Sequence, residues 1–248
     1  MLILLPPSEG KTGRRRGKPA DPGTWSFPEL APTRAEVQAA LVRTSSGVDA
    51  LERLLVTENL AHDVAANLDL DLAPSAPAID VYSGVLYEAL SYDTLDAAAR
   101  RRANRWIVIV SALHGAVRPT DRIVPYRCHI CARLEGLDNL ERVWRPRLAE
   151  VLPAVVGRGL IVDARSSTYV TLWRPQGPLA DRRVAIRVPG ASHMAKHTRG
   201  LVARTICEQG LDPRRPEQLA ESLAAAYEVS LDPPDRPGAP WTLSVTTR

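Results

Sequence analysis

With 248 residues the chain is long enough to bury a large core, as one domain or as two small ones. Its formal charge of +4 hides an uneven split, 29 arginines against only three lysines, Lys11, Lys18 and Lys196. Three cysteines argue against a disulfide framework, and the opening apolar run is too short for a leader or a membrane span, so the expectation is a cytoplasmic protein with no membrane contact. Where arginine already fills every generic cationic position, a lysine needs its own explanation. It is a compact point charge whose pKa moves on burial, which a guanidinium cannot imitate. The basic balance is compatible with a polyanionic partner or a phosphate ligand and demonstrates neither.

Residues 2–5 read as a buried strand that gives way at once to Pro6-Pro7-Ser8-Glu9-Gly10-Lys11-Thr12. Gly-Lys-Thr after a strand resembles the end of a phosphate-binding P-loop, but the glycine that opens such a loop would fall at Leu5. The motif is broken. What survives is a cation and a hydroxyl at the end of the first strand. Residues 13–23 form a basic, turn-rich loop, either solvated or a phosphate-contacting arm. Thr33 and Glu36 have capping-box spacing ahead of Val37, Ala40 and Leu41. Leu51, Leu54 and Leu55 form a short apolar stripe, residues 57–68 read as a helix, and 72–77 as a proline-spaced linker. Residues 79–99 read as two helices broken at 91–93, with Tyr82, Ser83, Gly84 and Tyr87 near the start. A small Ser-Gly turn there could hold a phosphate on backbone N–H groups, or the tyrosines could simply be core.

The stretch around which the chain is expected to be organised is 106–127, WIVIVSALHGAVRPTDRIVPYR. A β-branched run too short for a helix fits a strand buried on both faces. Ser111, His114, Arg118, Asp121, Arg122, Tyr126 and Arg127 follow, punctuated by Gly115, Pro119 and Pro125. A buried strand emptying into such a loop is a common way to fix functional groups at a sheet edge. Cys128-His129-Ile130-Cys131 has zinc-knuckle spacing at one end but lacks a second pair at finger spacing, so no metal is expected.

Residues 140–156 read as a helix in spite of Pro146 and Pro153, placed in its first turn and at a kink. Residues 160–163 are a short buried strand running into Arg165-Ser166-Ser167-Thr168-Tyr169, and 170–173 is apolar again. Residues 184–188 read as a half-exposed strand and 201–209 as a helix closed by Gly210. Lys196 and Arg199 stand one turn apart just before it. Residues 217–229 are amphipathic and 241–245 a closing strand. Without a regular βαβ rhythm, the expectation is one mixed α/β domain spanning 1–248, with a central mixed sheet and surrounding helices. The strands at 2–5, 107–111 and 160–163 should neighbour one another, so that Lys11, Arg118 and Ser166 share one site.

Taken together, LILLPPSEGKT, VYSGVLY, SALHGAVRPTDRIVPYRCHICARL, LIVDARSSTY, AKHTRGLVAR and RRPEQLAESLAAAYEV make the chain similar to the YaaA peroxide-stress family. The specific parts are Gly115, Arg118, Pro119, Pro125, Tyr126 and Arg127, then Ala195, Lys196, Arg199 and Gly200. The resemblance implies a positively charged cleft, a helix-hairpin-helix-like element, binding of double-stranded or branched DNA, and protection from peroxide by limiting free iron and DNA damage. Lys11, Thr12, Tyr82, Gly84, Arg118, Tyr126, Arg127, Ser166, Tyr169, Lys196 and Arg199 sit on matching positions. The chain departs from the pattern at PPSEGK, at Cys128, His129 and Cys131, and in the basic 14–18 loop. Two functions follow as expectations. One is a non-catalytic, monomeric DNA-binding protein using Ser8, Lys11, Thr12, Tyr82, Ser83, Gly84, His114, Arg118, Tyr126, Arg127, Ser166, Tyr169, Lys196 and Arg199. The other is an enzyme on a small anionic, phosphate-bearing ligand, with Lys11, Tyr126 and Lys196 as the acid–base groups and no cofactor.

Overall fold

The computed structural model describes residues 1–190 and 192–248. Among the described residues nine strands, β1 (Leu2–Leu5), β2 (Ala76–Pro77), β3 (Ile107–Ser111), β4 (Gly115–Val117), β5 (Arg122–Ile123), β6 (Ile161–Asp163), β7 (Arg183–Arg187), β8 (Tyr227–Asp232) and β9 (Trp241–Thr247), are interspersed with helices. The helices are α1 (Ala31–Ser46), α2 (Ala50–Arg53), α3 (Ala61–Ala65), α4 (Ala78–Val81), α5 (Val85–Leu90), α6 (Ala97–Trp106), α7 (Leu140–Val156), α8 (Ser167–Val170), α9 (Ser192–Gln209) and α10 (Pro216–Leu223).

Seven strands form one mixed sheet in the order β4-β3-β1-β6-β7-β9-β8, while β2 and β5 pair separately. From β3 to β9 all neighbours are parallel; only the edge strands β4 and β8 are antiparallel. β1, β3 and β6 are buried throughout, as strands covered on both faces must be, which is why they read as uninterrupted apolar runs. The expected adjacency of the three strands holds, with Leu4 beside both Val108 and Asp163. From β1 the chain first moves to β3 on one side, and later returns to β6 on the other. The order therefore reverses between β1 and β6, where the loops leaving the two strands diverge and open a crevice.

Several local expectations are corrected. Thr33 lies inside α1, which begins at Ala31, so it is not a cap. Residues 57–69 are one turn of α-helix between 3-10 turns, and Leu55, at φ +57°, is more than half exposed. Trp106 ends α6 rather than opening β3. Pro146 stands well inside α7. Residues 167–170 are helical, and 227–229 belong to β8. The largest change is α9, which starts nine residues before position 201 and so carries Lys196 and Arg199 on its own first turns. Gly200 explains how α9 reaches the site. A Cβ there would lie 2.1 Å from the Leu86 carbonyl oxygen, so only glycine lets α9 cross α5 this closely.

Candidate functional site

A cavity of about 630 Å³ occupies the crevice at the carboxyl ends of β1 and β6. Its walls come from the loop after β1 (Pro6 to Gly10), the turn into α5 (Ser83, Gly84), the loop and helix after β6 (Ser166 to Tyr169), His129, and Ala195, Lys196 and Arg199 of α9. Gly84, at φ +101° and ψ 178°, makes a turn that a residue with a Cβ adopts only under strain.

Each wall is held by identifiable bonds. Asp163, the last residue of β6, receives both Nε and Nη2 of Arg165 (2.8 and 2.7 Å) and Nε of Arg183 (2.9 Å). Arg165 also donates to the carbonyls of Tyr169 (3.2 Å) and Trp173 (2.8 Å), clamping the loop that presents Ser166, Ser167 and Thr168. Burial alone would raise the Asp163 pKa, but the two guanidiniums outweigh it and hold the carboxyl below its ordinary value. On the opposite wall, Ser83 donates its backbone N–H to Ser8 Oγ (3.0 Å), and Tyr87 donates its hydroxyl to the Pro6 carbonyl (2.7 Å). Arg199 is anchored by Nε to the Ile186 carbonyl (3.3 Å), while Lys196 is exposed and unpaired among the described residues. Glu9 also lines the cavity but is engaged by Arg127 Nη1, through both its carbonyl (3.0 Å) and its carboxylate (3.3 Å). The result is a pocket with apolar sides (Pro6, Pro7, Leu86, Tyr87), a run of hydroxyls and two cations.

Lys11 stands just outside this pocket. Its Nζ donates to the Ser8 carbonyl (2.8 Å) and lies 4.4 Å from the Tyr126 ring centroid. Burial pushes its pKa down to about 8, opposed in part by Glu9. Behind it Tyr126 shares its hydroxyl with Ser111 (2.7 Å) and Tyr82 (3.0 Å), and burial raises the pKa of both phenols, Tyr82 to about 12.

Of the residues expected from the sequence, Ser8, Ser83, Gly84, Ser166, Tyr169, Lys196 and Arg199 line the main cavity, and Lys11, Tyr126 and Arg127 line its neighbour. Tyr82 is buried in the tyrosine cluster. Thr12 is exposed and lines neither cavity; its amide donates to the Val81 carbonyl (2.8 Å). Arg118 is a correction. The β3–β4 hairpin turns the chain back, so its guanidinium reaches the carbonyls of Arg105 and Ile107 at the amino end of β3, away from Lys11 and Ser166. His114 is also internal, edge-on to Trp25 and Tyr126. Asp121 accepts from Ser26 and the Arg118 amide, and Arg122 from its side chain holds Ser75, so most of the polar central stretch is scaffold. His129, not among the site residues expected from the sequence, lines the cavity edge-on to Tyr169, its Nδ1 accepting from the Cys131 amide (3.2 Å). Its proximity to a Cys pair was the signal that drew attention to metal instead. Burial pushes the Cys128 thiol up to about 12, and among the described residues no three His, Cys, Asp or Glu side chains converge as a metal site.

His114 gives the first testable consequence. Its complete burial pushes its pKa down to about 3 from the ordinary 6.5. The unfolded chain therefore binds a proton that the native one does not as pH falls from 6.5 towards 3, so stability is full above 6.5 and is lost in that window. Urea unfolding at pH 5 and pH 7.5 should differ by about 2 kcal/mol from this residue alone, and His114→Gln should remove that part of the difference. An unchanged pH dependence in the variant would contradict it.

A parallel-centred α/β fold with a cavity at its switch point defines a class of ligand-binding proteins. Comparison with known sequences is more specific. A family model for the peroxide stress protein YaaA matches residues 1–232. A UPF0246 protein of Streptomyces coelicolor is 43% identical, covering 99% of this chain and 98% of the relative. One from Corynebacterium efficiens is 39% identical over 83% of this chain and 84% of the relative, and one from Cereibacter sphaeroides 32% identical over 96% and 98%. The chain belongs to the YaaA peroxide stress protein family. No helix among the described residues is long and apolar enough to cross a membrane.

Proposed function

We propose that this family member binds a phosphate-bearing ligand of nucleotide size in the cavity between β1 and β6. The observation that carries the reading is the convergence of Ser83, Ser166, Ser167, Thr168, Lys196 and Arg199 on one crevice, while Arg127 engages the nearby acid, Glu9. Hydroxyls and cations at this density satisfy phosphate oxygens, and the apolar faces of Leu86, Tyr87 and the prolines suit a flat, weakly polar base. A volume near 630 Å³ is in the range of small-ligand sites. Calorimetric titration with a set of nucleoside 5′-monophosphates and the matching nucleosides tests it. Saturable binding that weakens about tenfold or more when the phosphate is removed is the expected result. Equal binding of both, or of neither, would overturn it.

A second reading, contact with duplex or branched DNA, has its own support. Arg15, Arg16 and Lys18 are exposed and make no ion pair among the described residues, in a loop that begins two residues after Lys11. Such an arm would hold a backbone through phosphates, each contact releasing counterions. Gel-shift affinity should then fall steeply between 50 and 200 mM salt, by about tenfold or more for several contacts. Binding that is absent at low salt, or indifferent to salt, would exclude it.

A further inference from the structure

A second cavity of about 370 Å³ adjoins the first, sharing Glu9 and Gly10 as a common wall and lined beyond them by Lys11, Asp63, Tyr126 and Arg127. The wall is thin: both residues are exposed, and a Cβ on Gly10 would stand 3.2 Å from Ser83 Oγ. Its lysine marks the second cavity as incomplete. The Lys11 ammonium has three N–H donors, of which one is used within the described residues, towards the Ser8 carbonyl; the aromatic face of Tyr126 provides no acceptor oxygen. The Arg127 guanidinium lines the same space with its Nη1 held by Glu9, while its Nε is enclosed by protein and has no partner among the described residues. Unmatched donors on a largely desolvated ammonium are costly, and a bound anion would supply the acceptors that Lys11 lacks. Glu9 and Asp63 also face this space; Glu9 and Arg127 offset each other, and Asp63 makes no ion pair among the described residues.

Resting on the reading of the main cavity above, we infer that the ligand carries two phosphates, one in each cavity, with its base against the apolar side of the main cavity. Lys11 and Arg127 are then the second phosphate's partners, as Lys196 and Arg199 are the first's. Such a ligand is either a free nucleoside 3′,5′-bisphosphate or one step of a nucleic-acid strand, which share this chemistry.

The test compares adenosine 5′-monophosphate with adenosine 3′,5′-bisphosphate by calorimetry on the full chain. The second phosphate should tighten wild-type binding by about tenfold or more, and Lys11→Met should abolish that increment while leaving monophosphate binding near the wild-type level. Lys196→Met should weaken both ligands. If the two ligands bind the wild type equally, the two-phosphate inference is wrong while the main cavity keeps its role. If neither binds, both fall. A trinucleotide with the same internal phosphates separates the sources: tighter binding than the bisphosphate points to a strand, equal or weaker binding to the free nucleotide.

Discussion

Asp163→Asn should destabilise the protein by about 3–5 kcal/mol, the cost of removing one member of a buried ion cluster and leaving its partners uncompensated. Asp163 and Arg165 are essentially without solvent contact, and Arg183 is nearly so. Asparagine keeps the shape but supplies no charge, so two guanidiniums would face each other in the interior. For a chain of this length the midpoint of thermal unfolding should fall by about 10 °C. The damage should not stop at stability. Arg165 is what ties the carbonyls of Tyr169 and Trp173, so the loop carrying Ser166, Ser167 and Thr168 should loosen and ligand affinity should fall even below the new melting temperature. Denaturant unfolding monitored beside ligand titration checks both parts. A loss under about 1 kcal/mol would mean that the cluster behaves as a solvent-screened surface pair.

The second large effect concerns Lys196. It is exposed, on the first turns of α9, in a chain where arginine is the ordinary cation. If it meets a small phosphate inside the cavity, Lys196→Arg places a longer, planar group where a point charge fits. Affinity or turnover should then drop by about 10²-fold, the scale for a misplaced positioning group. If the protein only holds a DNA backbone, the same change should cost under about 1 kcal/mol, because a phosphate accepts either cation. Folding should be unaffected in both cases, since the side chain has no hydrogen-bond or ion-pair partner among the described residues. Binding of nucleotide and of duplex DNA by the same Lys196→Arg preparation separates the two outcomes.

The sheet was legible because its central strands are buried on both faces and so appear as apolar runs bounded by Gly, Pro and Ser. The cavity was legible in part for the same reason: two of those runs, 2–5 and 161–163, end in hydroxyls. What misled was the central stretch. Arg118, Asp121 and Arg122 have the composition of a site, but each spends its hydrogen bonds on neighbouring parts of the scaffold. Composition cannot distinguish a polar group that faces a ligand from one that satisfies buried backbone, because both uses need the same donors and acceptors. The antiparallel return of β4, which carries Arg118 away from the crevice, also depends on a hairpin at Gly115 that local sequence did not announce. The early start of α9 was hidden for another reason. Residues 193–200 are mostly polar and lack an apolar period, and their helicity rests on packing of Thr198 and Gly200 against the core and α5.

Backbone amide chemical shifts recorded while a nucleoside monophosphate is added will show whether the ligand enters the cavity between β1 and β6. Saturable changes should concentrate at Ser83, Gly84, Ser166, Ser167, Thr168, Lys196 and Arg199, which line the crevice at the carboxyl ends of β1 and β6. Changes confined to the 14–18 loop, or scattered over the surface with no saturation, would contradict it.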